Sequence, residues 1–174
     1  LKANPNQEII KILDTLDYGF EISSLGELNL IKSIGVKGEV ISSNTIKEPQ
    51  FLEAAAKNQI EYFAFDSKEE LIKIAKYSPN SKVYVRISIS NKGSDWPLSY
   101  KFGVEKSLVP DLLKEAKELS LKPIGVTFHV GSQCHSLKNW EEGIKSASSI
   151  FSLSEKKGID LKLLNVGGGI PIKM

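Results

Sequence analysis

Apolar residues recur along the chain in two rhythms that alternate from end to end, short runs of strand type and longer stretches at helical spacing. No linker or low-complexity stretch interrupts them. Asn4 before Pro5 reads as a helix cap with proline in the first turn, and Ile9, Ile10, Leu13 and Leu16 then mark one apolar face, so the first helix is expected over about residues 5–16. A strand follows at about 18–22. Ser24 with Glu27 forms a capping box that opens a helix through Leu28, Ile31 and Ile34, which Gly35 closes. Further strands are expected at about 40–42 and 62–65, with a helix between them at about 48–58. Ser67 and Glu70 form a second capping box, leading a helix through Leu71, Ile72 and Ala75.

The centres of the first strands, Phe20, Ile41, Phe63 and Val85, lie 21, 22 and 22 residues apart, an interval that holds one strand and one helix. After a strand at about 83–89 comes a polar stretch at 90–102, long for a strand-to-helix loop and therefore a functional candidate. A helix at about 107–119, a strand at about 124–130, a helix at about 138–157 and a strand at about 161–166 complete the pattern, which ends in Gly167-Gly168-Gly169. Counting a strand that ends at Leu1-Lys2, the chain carries seven strand–helix repeats, one short of a closed (β/α)8 barrel. The expected fold is thus an α/β barrel truncated at both ends, within a single domain over residues 1–174. A doubly wound open sheet is the alternative, but its glycine-rich turn should follow the first strand, and here the glycines come last.

Composition narrows the function. With 41% hydrophobic and 25% charged residues the chain is an ordinary globular domain, and a net charge of +2 favours neither nucleic acid nor an anionic membrane. Small-molecule chemistry is expected. Cys134 is the single cysteine, so no internal disulfide can form, which suits a reducing, cytoplasmic compartment. The first residue is Leu1 rather than Met, and the true start of the polypeptide, with any targeting segment, is expected to lie upstream.

Barrel enzymes keep their active sites at the C-terminal ends of the strands. The residues expected there are Lys2, Glu21, Asn44, Asp66, Arg86, His129 with Ser132, and Gly167–Gly169. Bare glycine amides in a late loop are what an anion such as phosphate requires. Cys134 and His135 are adjacent but lack further soft ligands, so no metal site is expected.

Five segments resemble the fold-type III pyridoxal-phosphate decarboxylases of ornithine, lysine, arginine and diaminopimelate: Lys2-Ala3-Asn4-Pro5, Phe20 to Leu28, Lys101-Phe102-Gly103, His129 to Cys134, and Gly167-Gly168-Gly169-Ile170-Pro171. They come in that family's order and spacing across essentially the whole chain. The lead Trp96-Pro97-Leu98-Ser99-Tyr100 looks more like the ornithine and lysine enzymes than the diaminopimelate ones. The resemblance implies an alanine racemase-like barrel that binds pyridoxal 5'-phosphate, with Lys2 as the lysine that forms the internal Schiff base and His129 stacked on the pyridine ring as the catalytic pair. It implies that Ser132 and Gly167, Gly168 and Gly169 anchor the phosphate, and that Arg86 and Glu21 lie near the cofactor. Glu21 departs from the aspartate often found there in ornithine decarboxylases. The implied activity is decarboxylation of ornithine or lysine to a diamine, in polyamine biosynthesis, by a homodimer whose last barrel strand and C-terminal β-domain lie beyond residue 174. A diaminopimelate or arginine decarboxylase, an alanine-racemase-like enzyme, and a non-catalytic regulatory homologue are the alternatives.

Overall fold

A computed structural model of the chain describes residues 1–98 and 101–173. Eight strands and six helices alternate in the described residues: α1 (Gln7–Thr15), β1 (Phe20–Glu21), α2 (Leu25–Ile34), β2 (Val40–Ser42), α3 (Pro49–Lys57), β3 (Tyr62–Phe65), α4 (Lys68–Tyr77), β4 (Lys82–Arg86), β5 (Ser94–Trp96), α5 (Val109–Glu118), β6 (Lys122–Thr127), β7 (Ser132–Cys134), α6 (Leu137–Lys156) and β8 (Leu163–Asn165). A single 3-10 turn, Lys106–Leu108, leads into α5. Six strands form one all-parallel sheet in the order β1-β2-β3-β4-β6-β8, each joined to the next through a helix. This is the incomplete barrel of strand–helix repeats that the 21- to 22-residue rhythm predicts.

Period-two alternation sorts the central strands. Phe63 and Phe65 of β3 and Val83 and Val85 of β4 join the core under the helices, where Leu52, Leu71, Ile74 and Leu113 meet them. Ala64 and Tyr84, one residue out of phase, are equally buried but belong to the opposite face, the barrel interior. Pro123 cannot donate to the ladder, and the β4–β6 register shifts beside it, between Val83 and Tyr84.

Four expectations are corrected. No strand forms at Leu1-Lys2, where the repeat count expects one to end: among the described residues the Leu1 ammonium donates to the Glu21 carbonyl at 2.7 Å and the Leu1 side chain packs against the core, without a strand pairing. The sheet accordingly has six strands rather than seven. The first helix is capped by Asn6, not Asn4, because the Asn6 side chain accepts from the Glu8 and Ile9 amides, while that of Asn4 accepts from Asn6. The polar stretch 90–102 is not a plain loop. Its β5 pairs antiparallel with β7, Ser94 opposite Cys134 and Trp96 opposite Ser132, a ribbon of polar residues without the alternation that announces a strand. Ser99 and Tyr100 of the Trp96–Tyr100 lead lie outside the described residues.

The capping boxes are half right. Ser24 and Ser67 cap α2 and α4 by accepting from the Glu27 and Glu70 amides. The Glu27 carboxylate, however, accepts from the amide and hydroxyl of Ser23, and Glu70 turns inward to Lys47.

Candidate active site

The C-terminal ends of the parallel strands surround a cleft of about 810 Å³. Lys2, Glu21, Asn44, Arg86, His129, Gly167 and Gly168 all line it, so most of the rim residues expected from the sequence converge. Thr127 and Phe128 of the β6 end and Asn165 of β8 form its floor with Ser43, and Leu98 and Phe102 of the long connection form one wall.

His129 follows β6, and its position is set from two sides. Its Nδ1 accepts a hydrogen bond of 2.9 Å from the Gly131 amide, so the neutral ring carries its proton on Nε2. Burial, reinforced by the positive charges of Arg86 and Lys2, lowers its pKa from 6.5 to about 4. The imidazole is therefore uncharged near pH 7. Its carbonyl accepts from the side-chain amide of Asn91 at 2.9 Å, and the other end of that side chain accepts from the Leu98 amide at 2.6 Å. Asn91 thereby ties the 90–102 connection to the strand end that bears His129.

Arg86, at the end of β4, stacks on the Phe102 ring with its guanidinium 5.0 Å from the ring centre. Phe102 is held there because Asp66, at the end of β3, accepts from the Gly103 amide at 2.9 Å. Gly103 has φ of +93°, and a Cβ would meet the Ile87–Ser88 backbone at 2.7–2.9 Å, so only glycine fits. Asp66 thus acts through the Lys101-Phe102-Gly103 segment rather than lining the cleft. Burial lowers the Arg86 pKa, while the charges of Asp66 and Glu21 oppose that shift.

The glycine turn packs directly on His129. A Cβ on Gly168 would lie 3.4 Å from His129 Nε2, and one on Gly169 would overlap the Gly131 carbonyl oxygen. Gly169 therefore lies behind the cleft lining, against Gly131, and its carbonyl accepts from the Cys134 amide at 2.8 Å. Ser132 is exposed on β7, next to this contact, and is not part of the lining. His135 is exposed and 3.6 Å from Asp95, whereas the Cys134 thiol is buried within 3.4 Å of the Asn139 side-chain amide.

Asn91 and Leu98 act from within the polar stretch 90–102 that the sequence marks as a functional candidate, and Ser43, Tyr84 and Asn165, which the sequence does not single out, complete the site. Of these three, Asn165 carried a usable signal, as a polar residue near the end of an apolar strand and two positions before three glycines.

The donor set suits a phosphate-bearing aromatic. Two cationic side chains, bare glycine amides and a neutral imidazole face share one cleft, and the cradle at Gly168 has no side chain to fill it. The comparisons agree. The whole of residues 1–174 matches the model of the family described as pyridoxal-dependent decarboxylase, pyridoxal binding domain. A lysine/ornithine decarboxylase of Selenomonas ruminantium is 38% identical over 173 residues, 99% of this chain and 44% of that protein. Antizyme inhibitor 2 of Xenopus laevis is 36% identical over 172 residues, 98% of this chain and 38% of that protein. A solved structure of a mutant SrLDC in complex with PLP superposes with a TM-score of 0.94 at 37% identity, covering 97% of this chain and 44% of that one. The chain thus spans less than half the length of these relatives.

Proposed function

The chain belongs to the pyridoxal-dependent decarboxylases, as their pyridoxal-binding domain, and from that premise we propose that the whole protein decarboxylates a basic amino acid, ornithine or lysine, to a diamine for polyamine biosynthesis. The observation that carries this reading is the convergence of Lys2, Arg86, His129 and the glycine turn on one cleft. Similarity to a lysine/ornithine decarboxylase supports the choice of substrates.

Each residue has a definite task. Lys2 is the amine that would hold the cofactor covalently, and its place beside Arg86 and His129 keeps it within the cleft. The Gly167–Gly169 turn, through the free amides of Gly168 and Gly169, and the Ser132 hydroxyl would hold the phosphate, the hydroxyl being carried to the turn by the hydrogen bond between Cys134 and Gly169. His129 presents a neutral, flat face whose orientation the Gly131 amide fixes. Glu21 and Arg86 supply opposite charges at the rim, and Leu98 and Phe102 wall the cleft against water. The bound cofactor supplies an electron sink for the pair left behind when the substrate carboxylate departs as carbon dioxide. We further propose a homodimer in a reducing, cytoplasmic setting, which the single, buried Cys134 supports.

A second reading, a regulatory homologue without turnover, is favoured by the similarity to an antizyme inhibitor. Lys2, His129 and the three glycines, all kept and brought together, weigh against it. Two measurements on the full-length protein separate the readings. Adding pyridoxal phosphate should produce a visible absorbance band that Lys2→Ala abolishes, and carbon dioxide release should be fastest from ornithine or lysine among those two, arginine and diaminopimelate. A band without release from any of the four would select the regulatory reading, and release from diaminopimelate alone would overturn the substrate assignment.

A further inference from the structure

A chain of polar groups crosses the barrel interior beneath the cleft. The Tyr84 hydroxyl, on a side chain with no solvent exposure, lies 3.0 Å from the Ser43 hydroxyl. Ser43 in turn accepts from the Asn165 side-chain amide at 3.0 Å, a contact between residues 122 positions apart. The carbonyl end of the same Asn165 side chain accepts from the Gly167 amide at 2.8 Å. Strands β4 and β8 and the residue that directly follows β2 are thereby joined to the first amide of the glycine turn.

The consequence concerns which amides are free. Asn165 consumes the N–H of Gly167, and among the described residues those of Gly168 and Gly169 have no partner. A flexible asparagine could not fix the turn by itself, but this one is held at both ends. Its amide group is committed to Ser43, which the buried Tyr84 hydroxyl holds in place. Preorganised donors bind an anion more tightly than mobile ones, because their ordering is not charged against binding.

We infer that Asn165 is a positioning residue for the cofactor phosphate, acting through the Gly167 amide and braced by Ser43 and Tyr84. This rests on the reading of the cleft as the pyridoxal-phosphate site. The strut matters only to a ligand that engages the turn, so its removal should discriminate between cofactors with and without a phosphate.

The experiment measures binding of pyridoxal phosphate and of phosphate-free pyridoxal to the full-length protein and its variants, by absorbance titration. Losing one hydrogen bond of this kind should weaken pyridoxal phosphate about 5- to 10-fold in Asn165→Ala, with pyridoxal changed less than about 2-fold on the same scale. Asn165→Asp keeps an acceptor for the Gly167 amide, and the rotatable Ser43 hydroxyl can donate to it, so this variant should retain near wild-type binding. Ser43→Ala removes only the brace and should weaken pyridoxal phosphate selectively but less; it keeps the test alive if Asn165→Ala does not fold. Equal weakening of both ligands, or no weakening of pyridoxal phosphate in either variant, would overturn the inference. Failure of the unmodified protein to bind pyridoxal phosphate would instead overturn the reading on which it rests.

Discussion

The Lys47 ammonium lies 2.9 Å from the Glu70 carboxylate, with the lysine side chain wholly sealed from solvent and that of Glu70 only 4% exposed. The remaining donors of Lys47 reach the carbonyls of Asn44 at 2.8 Å and Ala64 at 2.6 Å, and the second carboxylate oxygen of Glu70 meets Lys73 at 2.6 Å. One carboxylate thus faces two ammonium groups, of which Lys47 is sealed from solvent and Lys73 is 26% exposed. Lys47 belongs to the connection after β2, which also carries Ser43 and Asn44 to the cleft, so the pair anchors one side of the active site to α4.

Removing one partner leaves the other charge buried and uncompensated, which typically costs roughly 3–5 kcal/mol. Glu70→Ala should therefore lower stability by about that amount in urea unfolding of the cofactor-free protein. Replacing both residues with apolar ones of similar volume should cost far less than the sum of the single changes. A loss below about 1 kcal/mol in Glu70→Ala would show that water reaches the pair and screens it.

The second prediction concerns His129. Its lowered pKa, about 4 against 6.5 for an unperturbed histidine, means that between these values the unfolded chain binds a proton that the folded chain refuses. The contribution of this site to stability is thus fully present above pH 6.5 and is lost progressively as pH falls toward 4. Histidine NMR titration of the cofactor-free protein should place the His129 midpoint near 4. Lys2→Ala should raise that midpoint by removing a nearby cation, though only in part, because burial is the largest cause. A midpoint at the unperturbed value would mean that the cleft is far more open to water than its geometry indicates.

How much of this was legible depended on the range of the interaction. The strand–helix rhythm and the identities of Lys2, Arg86, His129 and the glycines could be read because period and strand ends are local properties. Glu70 could not: its spacing from Ser67 fits a capping box, and nothing nearby shows that Lys47, 23 residues earlier, competes for the carboxylate and wins. The Tyr84–Ser43–Asn165 chain was hidden for the same reason, since its members meet only once the sheet from β2 to β8 has assembled. The ribbon of β5 and β7 escaped because Ser94-Asp95-Trp96 and Ser132-Gln133-Cys134 lack an apolar face, their pairing being held by backbone bonds and by Asn91 rather than by burial.

Asn91 supplies the third prediction. Asn91→Ala leaves the Leu98 amide and the His129 carbonyl without their partner, so the 90–102 connection should detach from the strand end. Hydrogen exchange at the Leu98 amide should accelerate about 10-fold or more, the loss of roughly 1–3 kcal/mol for an unsatisfied group. Asn91→Asp keeps the acceptor for Leu98 and should preserve that protection, while setting a carboxylate against the His129 carbonyl and loosening the histidine. Unchanged exchange in Asn91→Ala would show that the β5–β7 ribbon alone holds the connection.

The glycine turn offers a contrast between two adjacent residues. Gly169 has φ of +93°, and any Cβ there overlaps the Gly131 carbonyl oxygen, a backbone atom that cannot swing aside. Gly169→Val should therefore damage the fold itself, lowering the thermal midpoint of the cofactor-free protein as well as cofactor affinity. Gly168 is different: it is not in the left-handed region, and its Cβ would meet only His129 Nε2, at an ordinary 3.4 Å. Gly168→Ala should fold with unchanged stability, yet it places a methyl group on the cleft side of the turn, where the phosphate is proposed to lie. Its effect should fall on pyridoxal-phosphate binding alone. Thermal melts with and without cofactor distinguish the cases: Gly169→Val lowers both midpoints, whereas Gly168→Ala lowers only the stabilisation that added cofactor confers. If Gly168→Ala were stabilised by cofactor as strongly as the unmodified protein, the phosphate would have to be held away from this turn, and the roles assigned to Gly167–Gly169 and to Asn165 would fall together.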